Sequence, residues 1–213
     1  MRRRATRRSR MQTLGLRSLL ALAAAVVAAP GAWAADPDCA DALARQVQQR
    51  YEKVRDLSAQ FQQTTRRVAL GDGAGDALAA SGEVVFAKPG KMRWAYESPE
   101  PSLVVSDGAT LWIYDPKARE VQKLPLGEGY LSAAGVQFLL GEGKLRDEFR
   151  VSASGCGEAI VTLGLIPRRA AHYERLEMRV DRVSFAVRET SVVDLFGNRT
   201  TIAFDALREN TKP

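Results

Sequence analysis

The 213-residue chain contains one histidine, His172, and two cysteines, Cys39 and Cys156. Those are too few nitrogen and sulfur ligands for a metal cluster, and the cysteines stand far apart rather than as a spaced pair. No Gly-x-Ser-x-Gly elbow is present to expose a nucleophilic serine. The glycine-rich stretch Gly71-Asp72-Gly73-Ala74-Gly75-Asp76 is followed by no Lys-Ser/Thr, so it is no phosphate cradle. The acids Glu97, Glu100, Asp107 and Asp115 fall in turns and at strand ends, where solvation accounts for them. Catalysis is therefore not expected, and neither is a metal or another cofactor. What the chain offers instead is apolar surface.

That surface is concentrated between Ser81 and Pro116. Met92, Trp94 and Tyr96 alternate with Lys91, Arg93 and Ala95, the period of two of a half-buried strand. Val84 to Phe86 precede them, and Leu103 to Val105 and Leu111 to Tyr114 follow. Turn residues separate the runs: Lys88-Pro89-Gly90, Ser98-Pro99-Glu100-Pro101, Ser106-Asp107-Gly108 and Asp115-Pro116. The pattern predicts a β-meander with one aromatic-rich face. Alternation leaves open whether Trp112 and Tyr114 or Leu111 and Ile113 share that face. From pattern alone, these side chains would fill an ordinary β core.

The N-terminus reads as a leader. Residues 1–18 carry arginines and no acid, Leu19 to Ala29 is an apolar run, and Ala32-Trp33-Ala34 is an A-x-A cleavage signature. Residues 1–34 thus form a cleavable signal peptide, too short for a spanning helix; Met11 to Ala34 would be a complete signal by itself. Its seven arginines leave with it, so the formal charge of +6 falls to about −1. The basic balance reflects export rather than nucleic-acid binding. The remaining residues, 35–213, fit a single domain that is exported and not membrane-anchored. Asp36-Pro37-Asp38 before Cys39 is not a lipoprotein signal, so the protein itself is not expected to be lipidated.

An exported compartment permits Cys39 and Cys156 a disulfide, the alternative being two buried thiols. Closing a loop on the order of 100 residues would contribute about 4–5 kcal/mol in the chain-entropy model. Asp38 to Leu57 has the apolar recurrence of an amphipathic helix, through Leu43, Val47, Tyr51, Val54 and Leu57. Ser58 to Leu70 and Ala118 to Leu126 read as strands, and Tyr130 to Leu140 as a second helix. Hairpins follow over Asp147–Ala153, Ala159–Ile166, Tyr173–Val180, Phe185–Asp194 and Arg199–Leu207. About eleven strands with no strand–helix alternation predict a mainly β (α+β) fold, a curved antiparallel sheet or open barrel with helices to one side.

The segments SGEVVFAKPGKMRWAYESP, LVVSDGATLWIYDP and VVDLFGNRTTIAF resemble the periplasmic carriers of outer-membrane lipoproteins, the LolA family, in the right order from about Ala40 to Phe204. The resemblance implies an incomplete eleven-stranded barrel, lidded by helices, around a hydrophobic cavity for acyl chains. It makes Phe61, Phe86, Met92, Trp94, Tyr96 and Trp112 candidates to line that cavity, and turns Leu131, Val136, Leu139 and Leu140 into lid residues. Lys88 occupies the position where the family usually has arginine before Pro-Gly, a basic residue that reaches the lid; lysine keeps the charge without the planar fork. The chain lacks the Phe-x-Phe-x-Pro-x-Gly continuation usual in the family, so either it is truncated or one barrel edge is less covered. The implied partners are acylated lipoproteins, an inner-membrane lipoprotein-releasing ABC transporter and, in some bacteria, an outer-membrane receptor, with the carrier a monomer. A related shuttle or lipid-sensing module for another lipid is the alternative, and a lipid-acting hydrolase a third.

Overall fold

The computed structural model describes residues 37–68, 77–125 and 143–212. The chain enters through helix α1 (Pro37–Lys53). Its apolar residues Ala40, Leu43, Ala44, Val47 and Tyr51 recur at three and four, and all are buried. Asp38 lies in its first turn and Arg50 and Lys53 in its last, each sign matching the helix dipole. The helix stops four residues before the expected Leu57. That residue instead enters the first strand, where its main chain joins the ladder and its side chain is still buried.

Eleven strands among the described residues form one antiparallel sheet. They are β1 (Asp56–Arg66), β2 (Ala77–Ala87), β3 (Lys91–Ser98), β4 (Ser102–Asp107), β5 (Thr110–Asp115) and β6 (Glu120–Pro125). After a helical turn, α2 (Leu145–Glu148), come β7 (Phe149–Ser154), β8 (Ile160–Pro167), β9 (Tyr173–Asp181), β10 (Val187–Asp194) and β11 (Arg199–Glu209). The spatial order β6-β5-β4-β3-β2-β1-β11-β10-β9-β8-β7 is two meanders joined where β11 pairs with β1. The edge strands β6 and β7 do not pair with each other, so the sheet stays open. The fold class expected from sequence holds, with two local differences. Turn α2 takes the start of the strand expected from Asp147. Phe185 belongs to a turn, at φ 58°, rather than to β10.

The C-terminal strand is not an edge. β11 lies between β1 and β10, which corrects the expectation of an uncovered border there. Residues beyond it are tied down as well. The buried Asp56 carboxylate accepts from the backbone N–H groups of Thr211 (2.6 Å) and Lys212 (3.0 Å).

Helix α1 packs on one face of the sheet against β7 and β8, and Lys88 of the β2–β3 turn reaches its last turn. At its start, Cys39 is bonded to Cys156 in the β7–β8 turn, with 6.4 Å between Cα atoms, which resolves the alternatives left by the sequence. Near its end, the Tyr51 hydroxyl accepts from the Val187 N–H at 3.0 Å, and Arg50 donates to Glu209 at 2.6 Å. The tyrosine is buried, and burial raises its pKa, so it stays neutral and able to accept. The face that receives α1 is called the inner face below.

Candidate functional site

Strand register sorts the expected site residues between the two faces. Directly paired residues of an antiparallel sheet point the same way. The rows Leu57–Phe86–Met92, Ala59–Val84–Trp94 and Phe61–Gly82–Tyr96 therefore stand side by side on β1, β2 and β3. Phe61 meets Trp94 at 4.8 Å between ring centroids and Tyr96 edge-on at 5.1 Å; Phe86 meets Trp94 edge-on at 5.7 Å. The five predicted residues Phe61, Phe86, Met92, Trp94 and Tyr96 thus form one cluster on the inner face. Edge-on and tilted pairs of this kind add about 0.5–1.5 kcal/mol each beyond area burial.

Gly82 lets β2 and β3 approach closely beside the cluster, and sequence reasoning missed it. It sits between Phe61 and Tyr96 in the same row. A Cβ there would lie 1.9 Å from the Ala95 carbonyl oxygen, a backbone atom, at a point where the β2–β3 register shifts. The signal was available as a glycine inside a strand pattern, which marks a bulge or a close approach.

The same face continues across the outer strands of this meander, with more exposure. Val104 and Ile113 follow Trp94 outward, Leu124 stands in the adjacent row beside Leu111, and all three are only half-buried. Leu111 lies in the adjacent row and is sealed. Trp112 does not share this face: its row is Val105 and Arg93, on the opposite side. This corrects its placement with Trp94, and Leu111 and Ile113 take the position. The expected lid residues Leu131, Val136, Leu139 and Leu140 lie outside the described residues.

Few polar groups intrude on the cluster. The Tyr96 hydroxyl donates to Gln63 Oε1 at 3.1 Å, and burial raises its pKa, so it remains protonated. The Trp94 Nε1–H is buried with no hydrogen-bond partner among the described residues. Its surroundings are aromatic, with Phe61, Phe86 and Tyr96 against the ring.

Lys88 sits in the β2–β3 turn, half-buried, and its Nζ donates to the Tyr51 carbonyl in the last turn of α1. Its backbone N–H donates to the Arg55 carbonyl at 2.9 Å. Burial lowers the pKa of the ammonium, opposed by the nearby Glu52 carboxylate. Its described contact is therefore with α1. A cation at a helix C-terminus meets carbonyls that lack intrahelical partners.

The outer face differs in kind. Arg199 grips Glu177 with two bonds, of 2.7 and 3.0 Å, and Arg175 adds a third at 3.2 Å. These pairs lie over β9 and β11 beside the Ser191–Thr201 hydroxyl pair. The apolar seat and the ion-paired strip occupy opposite sides of one sheet.

Residues 52–213 match the family described as outer membrane lipoprotein carrier protein LolA. The chain belongs to the LolA family. Its relatives include the outer-membrane lipoprotein carrier protein of Chromobacterium violaceum, 31% identical over 72% of this chain and 71% of the relative. The protein of the same name from Cupriavidus pinatubonensis is 31% identical over 82% of this chain and 81% of its own length. Among solved structures, a LolA superfamily protein from Nitrosomonas europaea superposes with a TM-score of 0.44 at 10% identity, covering 80% of this chain and 94% of that one. The family consists of non-enzymatic binding proteins. Among the described residues of this LolA-family chain, no three His, Cys, Asp or Glu side chains gather as a metal would require, and no helix is long and apolar enough to cross a membrane.

Proposed function

We propose that this protein is a soluble periplasmic carrier that holds lipoproteins released from the inner membrane by their acyl chains and delivers them to the outer membrane. The observation that carries the reading is the inner face of β3–β6, where Tyr96, Val104, Ile113 and Leu124 extend the aromatic cluster without being sealed. Family membership supplies the cargo class, since the relatives are named as carriers of outer-membrane lipoproteins.

The physical demand is simple. Each buried CH₂ of an acyl chain is worth about 0.8 kcal/mol, so a chain crossing water needs an apolar seat. It must also leave that seat, so the seat should be adequate rather than tightly packed. Adaptable Met92 and the rings around it suit irregular chains. The Trp94 N–H offers a hydrogen bond to a carbonyl where an acyl chain joins its glyceryl or amide head. In this reading residues 1–34 are a cleaved signal peptide and residues 35–213 one monomeric carrier domain. An inner-membrane ABC transporter loads it, and a membrane-anchored receptor or the outer membrane receives the cargo.

Native mass spectrometry of the protein isolated from its own periplasm tests this. Co-purifying triacylated lipoprotein, displaced by an apolar competitor, is the expected result. Free phospholipid or glycolipid as the sole ligand would replace the reading with a general lipid shuttle. If the protein emerges empty, incubation with inner-membrane vesicles and the transporter should release lipoprotein into solution; failure there would overturn it.

A further inference from the structure

The end of the sheet where β1 stops and the β10–β11 turn projects carries a second apolar surface, separate from the inner face. Leu195 is 64% exposed, Phe196 83% and Val68 53%. They are held together. Val68 N–H donates to Asn198 Oδ1 at 2.9 Å, and a Cβ on Gly197 (φ +86°) would come within 3.0 Å of Val68 Cγ2. The turn is rigidly built: Asp194 Oδ1 accepts from the N–H groups of Phe196 (2.8 Å) and Asn198 (2.9 Å), and Asn198 Nδ2 donates to Asp194 Oδ2 at 2.7 Å. The bonds fix the backbone and leave Leu195 and Phe196 pointing at solvent. A preorganised aromatic tip is an expensive thing to leave in water, and clustered exposed apolar residues mark a contact surface.

The charges beside it choose the partner. Arg66 ends β1 and Arg67 follows it, next to Val68, and both are exposed with no ion-pair partner among the described residues. Arg169 stands in the β8–β9 turn, adjacent because Tyr173 pairs with Asp194, and is likewise exposed and unpaired among the described residues. Of the nearby carboxylates, Asp194 is committed to its turn, Glu174 to Arg175 and Glu177 to Arg199, while Glu148 lines the same cavity as Arg169 and offsets part of its charge. The connection from β1 to β2 carries Asp72 and Asp76 in sequence. An aromatic tip beside exposed arginines fits acyl chains below and phosphates above. A second copy of this chain fits poorly, because a two-fold contact would bring the arginines against themselves.

We propose that the Leu195–Phe196 turn, with Val68 and the arginines 66, 67 and 169, docks the protein on the surface of an anionic phospholipid bilayer. Phe196 and Leu195 enter the headgroup–acyl boundary and the guanidinium groups bind lipid phosphates. The contact is peripheral and reversible, and it is independent of what the inner face holds.

Flotation of the exported protein with vesicles of phosphatidylcholine, with and without phosphatidylglycerol, tests this. Partitioning should rise with the anionic lipid and fall with salt. Leu195→Ser with Phe196→Ser should abolish it on both vesicles. Arg66→Gln with Arg67→Gln should weaken it roughly 25-fold on anionic vesicles only, at about fivefold per basic residue near a charged surface. Uptake of a fluorescent fatty-acid probe and the melting temperature should be unchanged in both variants, separating this surface from the inner face and from the fold. No flotation of the wild-type protein, or equal flotation of the apolar variant, would overturn the proposal. So would binding lost in step with fatty-acid uptake, which would trace vesicle contact to the inner face.

Discussion

The two meanders of this sheet present the same kind of inner face and treat it differently. Under α1, the rows from β8 and β9 are closed: Leu163, Leu165, Met178 and Val180 have no measurable exposure. Across β3 to β6 the corresponding rows run from Trp94 at 6% to the half-buried Val104, Ile113 and Leu124. Composition does not explain this, since both halves are built from aliphatic and aromatic side chains. Among the described residues, the difference is what lies on top. Helix α1 is tied by Cys39 to the β7–β8 turn and ends at Lys88, so its apolar stripe covers one meander. The closed half is the part that holds the fold, and among the described residues α1 does not extend over the outer strands of the other.

The largest effects should come from the closed half. Cys39→Ser removes a link between residues 117 apart in sequence and should cost up to about 4–5 kcal/mol, measured by denaturant unfolding with and without reductant. Met178→Ala, in a site with no exposure, should cost about 2–5 kcal/mol through lost burial and a cavity. Ile113→Ala on the half-buried rows should cost only about 1 kcal/mol of stability yet weaken uptake of an acyl-chain probe. Equal stability costs for Met178→Ala and Ile113→Ala would erase the distinction between the halves.

Lys88→Leu probes the joint between them. It removes the donor to the Tyr51 carbonyl and should cost roughly 1–2 kcal/mol, with the fold retained. If α1 must shift to admit or release cargo, this variant should also change the rate of release. Unchanged uptake and release would leave Lys88 a helix cap and nothing more.

How much of this was legible follows from what strand sequences encode. A period of two announces β3 and β5 but does not fix their phase when both faces hold apolar residues. Met92, Trp94 and Tyr96 share a legible face because charged Lys91 and Arg93 alternate with them. Leu111-Trp112-Ile113-Tyr114 has no such marker, so only pairing with Ser106, Val105 and Val104 decides that Trp112 turns away. The end of α1 was overrun because Leu57 continues the helical stripe, while its burial is satisfied equally by the sheet. Gly82 needed the neighbouring strands to reveal why no side chain fits. The exposed Leu195–Phe196 tip looks in sequence like an ordinary turn, since exposure is a property of the fold.

The smallest expected effect concerns the outer face, where charge rather than apolar burial joins the same strands. The hydrogen bonds from Arg199 hold the Glu177 carboxyl below its ordinary value of 4.5, reinforced by Arg175 and opposed by partial burial. A carboxyl with a depressed folded pKa stabilises the fold above its unfolded value, and that stability is lost as pH falls through the folded value. Both partners keep some solvent contact, so the pair should be worth roughly 0.5–1 kcal/mol at neutral pH. Arg199→Met should therefore lower the unfolding midpoint slightly at neutral pH, and the gap from wild type should close as the solution is acidified below the ordinary glutamate range. Met178→Ala, whose loss is apolar, should show a gap that does not depend on pH. If the Arg199→Met gap is equally flat, the arginine acts through packing of its stem, and the two faces of the sheet are held by the same force after all.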